Sequence, residues 1–253
     1  MLHFDDIVFG PIFSRRLGSS LGVNILPSVG KLCNFDCVYC ECGWNRDGAV
    51  EGRRFPSLHE VEMALTEKIR KAASEGVPVD SITFSGNGEP TMHPDFAQII
   101  DVTLKLRDEY FPDAKVSVLS NATLLGRDDV SQALMRVDNP ILKIDASRQE
   151  LVEQINKPVG IYRLGVVLEN MKKFEGNFIL QTMFLKSSEF DTVANGALEA
   201  WMDIVRMLKP RQVMVYTIDR ETPDKSLEKY TVEEMTAMVQ PLKDEGFDIQ
   251  VRG

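Results

Sequence analysis

The sequence predicts an α/β fold with a parallel sheet. Apolar runs rich in β-branched residues alternate six times with longer amphipathic stretches, and crossovers of this kind connect parallel neighbours. With 253 residues, of which 43% are hydrophobic and 26% charged, the chain is long enough to bury a large core. No internal repeat, low-complexity tract or linker divides it, so we expect a single domain over residues 1–253.

The predicted strands are short and apolar. Their composition is typical of strands buried on both faces of a parallel sheet. The first of them stands just before a group of cysteines. In chain order they cover residues 21–26, 81–85, 115–120, 141–145, 178–185 and 212–218, and residues 247–251 are a candidate for a short final strand.

The predicted helices occupy the stretches between these strands. In the first, apolar residues recur three or four positions apart from Leu58 to Ile69, which is the spacing of one buried helix face. Ser57 and Glu60 match a capping box, and Pro94 suits the first turn of the second helix. Periodicity alone does not distinguish a barrel from an open sheet. The six helices cover residues 57–75, 95–109, 128–137, 163–174, 194–208 and 231–244.

The chain is acidic. Its 29 basic and 38 acidic side chains give a formal net charge of -9, which repels phosphate backbones and anionic lipid headgroups. We interpret the adjacent arginines Arg15–Arg16 and Arg53–Arg54 as solvated surface charge rather than as an RNA-binding patch. No apolar run approaches the roughly 20 residues that span a bilayer, and the N-terminus lacks the pattern of a signal peptide. We expect a cytoplasmic protein without membrane contact.

All four cysteines lie between positions 33 and 42. A disulfide framework would spread along the chain, so this grouping favours metal ligation in a reducing compartment. Within the loop of residues 31–44, Cys33, Cys37 and Cys40 follow the spacing C-x3-C-x2-C. Three such thiolates can hold three corners of a [4Fe-4S] cluster, which leaves one iron open to bind another molecule. Cys42 has no role in this pattern and is expected to be a free thiol.

Two alternatives would make the loop part of a non-catalytic module. In the first, Cys42 completes a four-cysteine zinc knot, although structural zinc sites usually combine two separate C-x2-4-C hooks and this loop contains no histidine. In the second, a cluster with four protein ligands serves electron transfer. An open iron indicates a reactive site, whereas a fully ligated cluster is typical of an electron carrier.

Polar residues follow the later strands. Residues 85–91 form a glycine-rich turn directly after the second strand, where glycines let the backbone approach a ligand closely. The turn lacks the signatures of a dinucleotide fingerprint and of a P-loop. Ser120 and Asn121 end the third strand, Asp145 closes the fourth and Gln181 lies in the fifth. In a barrel such groups lie near the C-terminal rim, where active sites form, although a structural hydrogen bond explains each one equally well.

The cysteine spacing after a first strand, combined with the glycine-rich turn after the second, resembles the radical S-adenosylmethionine (SAM) superfamily. The resemblance implies a partial (β/α)6 TIM-like barrel in which Cys33, Cys37 and Cys40 ligate the cluster. It also implies that SAM chelates the open iron. One electron, from a reductant such as flavodoxin or ferredoxin, then cleaves SAM to methionine and a 5′-deoxyadenosyl radical, which abstracts a hydrogen atom from the substrate.

The resemblance also indicates which residues contact SAM. An aromatic residue before the third cysteine has the adenine in its neighbourhood, and a Gly-Gly-Glu-Pro-like turn binds the SAM amino group. A Thr-Asn-Gly-like turn lies near the ribose and the carboxylate. Asn87 departs from the plainest form of the glycine turn, and Asp145 and Gln181 are added as polar strand residues. The full set of candidate SAM contacts is Tyr39, Gly86, Asn87, Gly88, Glu89, Ser120, Asn121, Asp145 and Gln181.

Further segments, at residues 9–23, 86–94, 155–158 and 218–223, are similar to the wyosine-synthase-like group of radical SAM proteins. Membership of that group would imply modification of a guanosine in tRNA. The chain departs from it because there is no second set of cysteines and no basic extension, and the net charge disfavours a large phosphate contact. The sequence leaves three alternatives for the substrate: tRNA, a small molecule or a peptide. The Schiff-base lysine of some relatives is not assigned to either Lys143 or Lys157.

Overall fold

A computed structural model describes residues 4–14, 18–48 and 53–253. The strands of this part of the chain are short, and a helix separates most of the consecutive strands. They are β1 (Val8–Ser14), β2 (Gly18–Val23), β3 (Ser81–Phe84), β4 (Lys115–Ser120), β5 (Asn139–Lys143), β6 (Ile179–Met183), β7 (Leu185–Lys186), β8 (Gln212–Tyr216), β9 (Glu228–Lys229) and β10 (Ile249–Arg252).

The helices lie between these strands in the sequence. Short 3-10 turns also occur at Asn45–Gly48, after the cysteines, and at Pro90–Met92, after the glycine-rich turn. The α-helices are α1 (Leu58–Ser74), α2 (Phe96–Tyr110), α3 (Asp128–Arg136), α4 (Gln149–Ile155), α5 (Leu164–Lys172), α6 (Ala197–Leu208) and α7 (Val232–Asp244). Among the described residues, no helix combines the length and the apolar composition that a bilayer crossing requires.

The large sheet winds in one direction. Its strand order is β1-β2-β3-β4-β5-β6-β8-β10, and all pairs from β2 onward are parallel. A doubly wound sheet reverses its order at a switch point, whereas a barrel adds each new strand beside the last one. Within the described residues β1 and β10 stand at opposite ends of the order and do not pair with each other, so the winding is that of an open barrel. The predicted parallel α/β fold is confirmed.

The first two strands form an antiparallel hairpin. Val8 lies opposite Val23, and the register shifts between Phe9 and Ile12. We did not predict β1, because Gly10 and Pro11 interrupt its alternation of apolar and polar residues. The Arg15–Arg16 pair, which follows β1 in the sequence, lies outside the described residues.

Helix α1 packs as its sequence predicts. Val61, Leu65 and Ile69 are fully buried in the main core together with the strand residues of β3. The capping box is present, since the Ser57 hydroxyl accepts from the Glu60 N–H and the Glu60 carboxylate accepts from the Ser57 N–H. Both Glu60 carboxylate oxygens also bind the guanidinium of Arg54, at 2.7 and 2.6 Å, so this arginine is surface charge as expected.

Further elements also differ from the prediction. The predicted strand 178–185 divides into β6 and β7, because the chain leaves the large sheet after Met183 and pairs with β9 instead. Helix α4 was not predicted, since seven residues are too few for a clear apolar periodicity. Helix α6 begins at Ala197 rather than at residue 194, because Gly196 adopts the left-handed conformation just before it.

Candidate active site

A cavity of about 520 Å³ opens at the carboxyl ends of the parallel strands. Its walls come from the cysteine loop, the turn after β3, the ends of β4, β5 and β6, and the segment after β8. This is the face of a β/α barrel on which active sites form, because loops from several strands meet there. The described residues of the chain thus bring together segments that are far apart in sequence.

The three cysteines of the C-x3-C-x2-C pattern line this cavity. The backbone N–H of Phe35 lies 3.4 Å from the sulfur of Cys33, and the side-chain amide of Asn121 lies 3.7 Å from the same atom. The side-chain amide of Asn156 donates to the sulfur of Cys37 at 3.4 Å. N–H groups directed at thiolate sulfur are the surroundings that iron–sulfur clusters take in proteins, where they influence the reduction potential.

The three cysteine thiols are arranged for a cluster rather than for a single metal ion. Within the described residues no three His, Cys, Asp or Glu side chains converge as one metal ion would require. A cubane does not need such convergence, since each of the three thiolates binds a different iron atom. All four cysteines are free of disulfide bonds, so none of the thiols is withdrawn from ligation.

A buried cation lies beneath the cysteine loop. The Lys31 side chain is only 1% exposed, and its ammonium donates to Asp36 and to the carbonyl oxygen of Gly43, both at 3.1 Å. Burial lowers the pKa of Lys31, but the negative charges of the three cysteines and of Asp36 outweigh it, so the pKa is raised overall. A permanent positive charge here offsets the thiolates that a bound cluster requires. Sequence reasoning missed Lys31.

Cys42 adjoins the ligand set without belonging to the spacing pattern. Its thiol donates to the carbonyl oxygen of Gly86 at 3.5 Å. The interaction between the two adjacent thiols lowers the pKa of Cys40, whereas the same interaction, with burial, raises the pKa of Cys42.

The glycine-rich turn after β3 is joined to the cysteine loop. Leu32 donates to the carbonyl of Asn87 at 2.7 Å, and the N–H of Glu89 donates to the carbonyl of Leu32 at 3.2 Å. Gly88 has a φ of +142°, and a Cβ on it would lie 1.8 Å from that Leu32 oxygen. Only glycine fits here, because both the backbone conformation and the close approach exclude a side chain.

The Glu89 carboxylate holds the neighbouring strand end in place. It is almost wholly buried and accepts from the N–H and hydroxyl of Thr91, from the Ser120 hydroxyl at 2.9 Å and from the Asn121 N–H at 2.7 Å. Burial raises the pKa of Glu89, although these hydrogen bonds favour the ionised form. The Asn121 amide in turn donates to Asn34 at 2.6 Å, so the network ends on the cysteine loop.

A second polar network lies under Tyr39. The Tyr39 hydroxyl donates to Asp145 and accepts from the Lys143 ammonium at 2.9 Å. The same ammonium lies 4.8 Å from the centre of the Tyr39 ring. Burial, followed by the charge of Asp145, raises the pKa of Tyr39. Asn156 donates to Asp145 at 2.7 Å, which connects the network to the amide beside Cys37. Tyr39 and Lys143 face the cavity.

Two of the predicted SAM contacts point elsewhere. Asn87 is fully buried, and its amide binds Phe4 and the carbonyl of Pro27, so it fastens the N-terminal segment behind the turn. Asp145 lies behind Tyr39, where it also accepts from the Met183 N–H at 3.0 Å. Neither residue lines the cavity within the described chain. The predicted residues that line it with the cysteines are Tyr39, Gly86, Gly88, Glu89, Ser120, Asn121 and Gln181.

Thr217 adds a feature that the sequence did not reveal. It follows β8, lines the cavity and is only 5% exposed. Among the described residues its hydroxyl oxygen has no hydrogen-bond partner. A buried hydroxyl usually has a partner, so this orphaned group fits a cavity that takes a polar ligand. Thr217 and Lys31 carry no sequence signal of their own, because each acts through its position in the fold, whereas Asn156 lies in the segment 155–158 that the sequence singled out.

A family model described as the Radical SAM superfamily matches residues 28–185. The chain is also 30% identical over 237 residues to the protein named UPF0026 protein MJ1312 of Methanocaldococcus jannaschii, an alignment that covers 92% of this chain and 70% of the relative. The matched residues include the cysteine loop, the turn after β3 and the strands from β3 to β6.

Two solved structures share the fold. A radical SAM methyltransferase of Sphaerobacter thermophilus is similar with a TM-score of 0.70 and 17% identity, over 95% of this chain and 67% of that one. Streptococcus suis SuiB bound to S-adenosylmethionine is similar with a TM-score of 0.66 and 16% identity, over 92% of this chain and 50% of SuiB. The chain therefore spans about half the length of SuiB. These likenesses confirm the predicted partial barrel.

Proposed function

The chain belongs to the radical SAM superfamily, and from this premise we propose that it cleaves SAM reductively and uses the resulting radical to abstract a hydrogen atom from a substrate. Its cofactors as a member of the family are a [4Fe-4S] cluster and SAM. It is an enzyme, so the alternative of a non-catalytic metal-binding or electron-transfer module is set aside.

One observation carries the proposal. The three cysteines share a single cavity with the turn from Gly86 to Glu89, although about 46 residues separate the motifs. We assign Cys33, Cys37 and Cys40 as the cluster ligands. When bound, the reduced cluster supplies one electron that splits SAM into methionine and a 5′-deoxyadenosyl radical. The protein itself contributes binding, orientation and the exclusion of water.

The remaining residues of the cavity have separate tasks in this proposal. Gly86 and Gly88 line the cavity, and because a Cβ on either would collide with Asn24 or Leu32, these glycines let the turn pack closely enough to form the cavity wall. Glu89 already binds Ser120 and Asn121, so it fixes the end of β4 where those two groups face the ligand. Gln181 and the unpartnered hydroxyl of Thr217 offer hydrogen bonds from the opposite strands.

We propose a protein electron donor, such as flavodoxin or ferredoxin, as the reductant, and the cytoplasm as the location. The grouping of four free thiols supports a reducing compartment. The family match stands at the level of the superfamily, so the similarity to the wyosine-like group, and with it tRNA as a substrate, remains an untested prediction. A small molecule or a peptide is compatible with the same site.

The proposal is tested by assembling the cluster under anoxic conditions and measuring the products of SAM after reduction with dithionite. We expect about four irons and four sulfides per chain, and 5′-deoxyadenosine with methionine in equal amounts. Cys33→Ala, Cys37→Ala and Cys40→Ala should reduce product formation to background, because each removes a cluster ligand. Cys42→Ala is the matched control and should retain activity. A wild-type protein with a full complement of iron that forms no 5′-deoxyadenosine contradicts the proposal.

A further inference from the structure

The loop of residues 157–163 packs on the outer side of the cysteine loop. The N–H of Val159 donates to the carbonyl of Asn34 at 2.8 Å, and Phe35 forms a β-bridge with Pro158. The rings of Phe35 and Tyr162 meet edge to face, with 5.4 Å between their centres. Asn34 and Phe35 lie between two of the proposed cluster ligands, so the 157–163 loop is fixed directly over the cluster-binding segment.

This loop presents apolar and basic side chains to solvent. Ile161 is 94% exposed and Val159 is 64% exposed, so neither aliphatic side chain is buried in the core. Lys157 and Arg163 at its two ends are also exposed, and residues 157–163 contain no acidic side chain. In a chain with a net charge of -9, a segment with two exposed cations around two exposed aliphatic side chains departs from the average charge.

The 157–163 loop is separate from the cavity. None of the residues 157–163 lines the cavity in the described part of the chain. Asn156, immediately before the loop, donates to the sulfur of Cys37 at 3.4 Å. A molecule seated on the loop would therefore stand next to a cluster ligand without obstructing the entry of SAM or substrate from the cavity side.

We propose that the 157–163 loop is the docking surface for an acidic electron-carrier protein whose redox centre is surrounded by apolar surface. The inference rests on the proposed function, which requires one electron per reduction. The carrier is oxidised by one electron and the cluster is reduced by one. Electron-transfer complexes bury small areas, so two aliphatic side chains with two flanking cations suffice for a brief encounter. The cations attract an acidic carrier and accelerate association.

The test compares two reductants on the cluster-loaded enzyme. An acidic flavodoxin in its hydroquinone form is mixed with the oxidised enzyme in a stopped-flow instrument, and bleaching of the cluster is followed. Dithionite serves as the small reductant that needs no docking surface. With flavodoxin, the double variant Lys157→Glu/Arg163→Glu should lower the second-order rate constant by about tenfold or more, and should weaken its dependence on salt. With dithionite the rate should not change.

The apolar part of the surface is tested separately. Val159→Ser/Ile161→Ser should lower the flavodoxin rate while the salt dependence of the wild type is retained, because the charges are intact. The control, Lys105→Glu/Met63→Ser, changes an exposed cation and an exposed apolar side chain on the outer helices and should have no effect.

A charge-reversed enzyme that flavodoxin reduces at the wild-type rate overturns the inference. So does an equal loss of rate with both reductants, since that indicates a damaged cluster site. Failure of flavodoxin and ferredoxin to reduce the wild type, while dithionite does so, also counts against it. The proposed function is judged independently by 5′-deoxyadenosine formation with dithionite, so failure of one does not imply failure of the other.

Discussion

Gly88 shows how a single residue determines whether the two motifs can meet. It combines a φ of +142° with a backbone so close to Leu32 that a Cβ would lie 1.8 Å from the carbonyl oxygen. The Leu32 oxygen accepts from the Glu89 N–H, and Leu32 directly precedes Cys33, so any displacement of Leu32 is transmitted to Cys33. The turn and the cysteine loop therefore form one unit.

We predict that Gly88→Ala prevents cluster assembly. The added methyl group must displace the backbone of Leu32, which moves Cys33 away from the other two ligands. Iron analysis after anoxic assembly should show a loss of most of the bound iron. Gly76→Ala is the matched control, since Gly76 also has a positive φ, of +66°, but has no atom within 4 Å of the added Cβ. It should keep full iron content and lose only about 1 kcal/mol of stability.

At this scale the sequence predicted some side chains and not others. The spacing of Cys33, Cys37 and Cys40 predicted that these three thiols lie together, and they line one cavity, because close sequence spacing constrains where thiolates can lie. Asn87 was taken for a SAM contact, yet its amide binds Phe4, which lies 83 residues earlier. No local pattern reveals a partner at such a separation. Lys31 and Thr217 were missed because nothing in the local sequence shows that a lysine of the cysteine loop, or a threonine at a strand end, is almost fully buried.

At the scale of elements, Asp138 connects a helix to the sheet. Its carboxylate accepts from the Arg107 guanidinium of α2 at 2.6 Å and from the backbone N–H of Val116 in β4 at 2.9 Å, and it immediately precedes β5. Burial alone would raise the pKa of Asp138, but the hydrogen bond from Val116 and the charge of Arg107 outweigh it, so the pKa lies below the usual 3.8. The ionised form is thus the stabilising one.

We predict that Asp138→Asn lowers the free energy of unfolding by about 1–2 kcal/mol, because the hydrogen bond from Arg107 loses its charge assistance while the amide oxygen still accepts from Val116. Since the folded-state pKa of Asp138 is lowered, its contribution is complete above pH 3.8 and is lost only as the pH falls toward the folded-state value. The difference from the wild type should be the same at pH 7 and pH 5.

Urea unfolding under anoxic conditions measures this difference. Asp129→Asn removes a comparable but exposed ion pair with Arg127 and serves as the control. It should change stability little, since exposed pairs are screened by solvent. A loss in the Asp138 variant no greater than in this control would show that the carboxylate does not join the two elements.

The elements themselves followed from periodicity wherever they were long. The first helix was predicted from its apolar spacing and its capping box, and the structure contains both. The short elements β9 and α4 were missed, because two and seven residues carry too little pattern. The hairpin strand β1 was missed for a different reason, since its register shifts between Phe9 and Ile12 around Gly10 and Pro11.

At the scale of the whole molecule, the strand order explains why distant motifs share one site. Each parallel strand is added beside the last, so the ends of β3, β4, β5, β6 and β8 face the same cavity. The alternation of strands and helices predicted a parallel sheet, but only the resemblance to the family distinguished a barrel from an open sheet. Neither the alternation pattern nor the family resemblance identified the substrate, because one fold supports many reactions through different loops.

The central claim is that only three sulfurs of the chain bind the cluster, which leaves one iron for SAM. Its most direct test is the EPR spectrum of the dithionite-reduced protein recorded with and without SAM, on samples whose iron content has been measured. We expect SAM to change the g values in the wild type and in Cys42→Ala alike, because the fourth iron binds SAM in both. A wild-type spectrum that is identical with and without SAM, at about four irons per chain, would contradict the account.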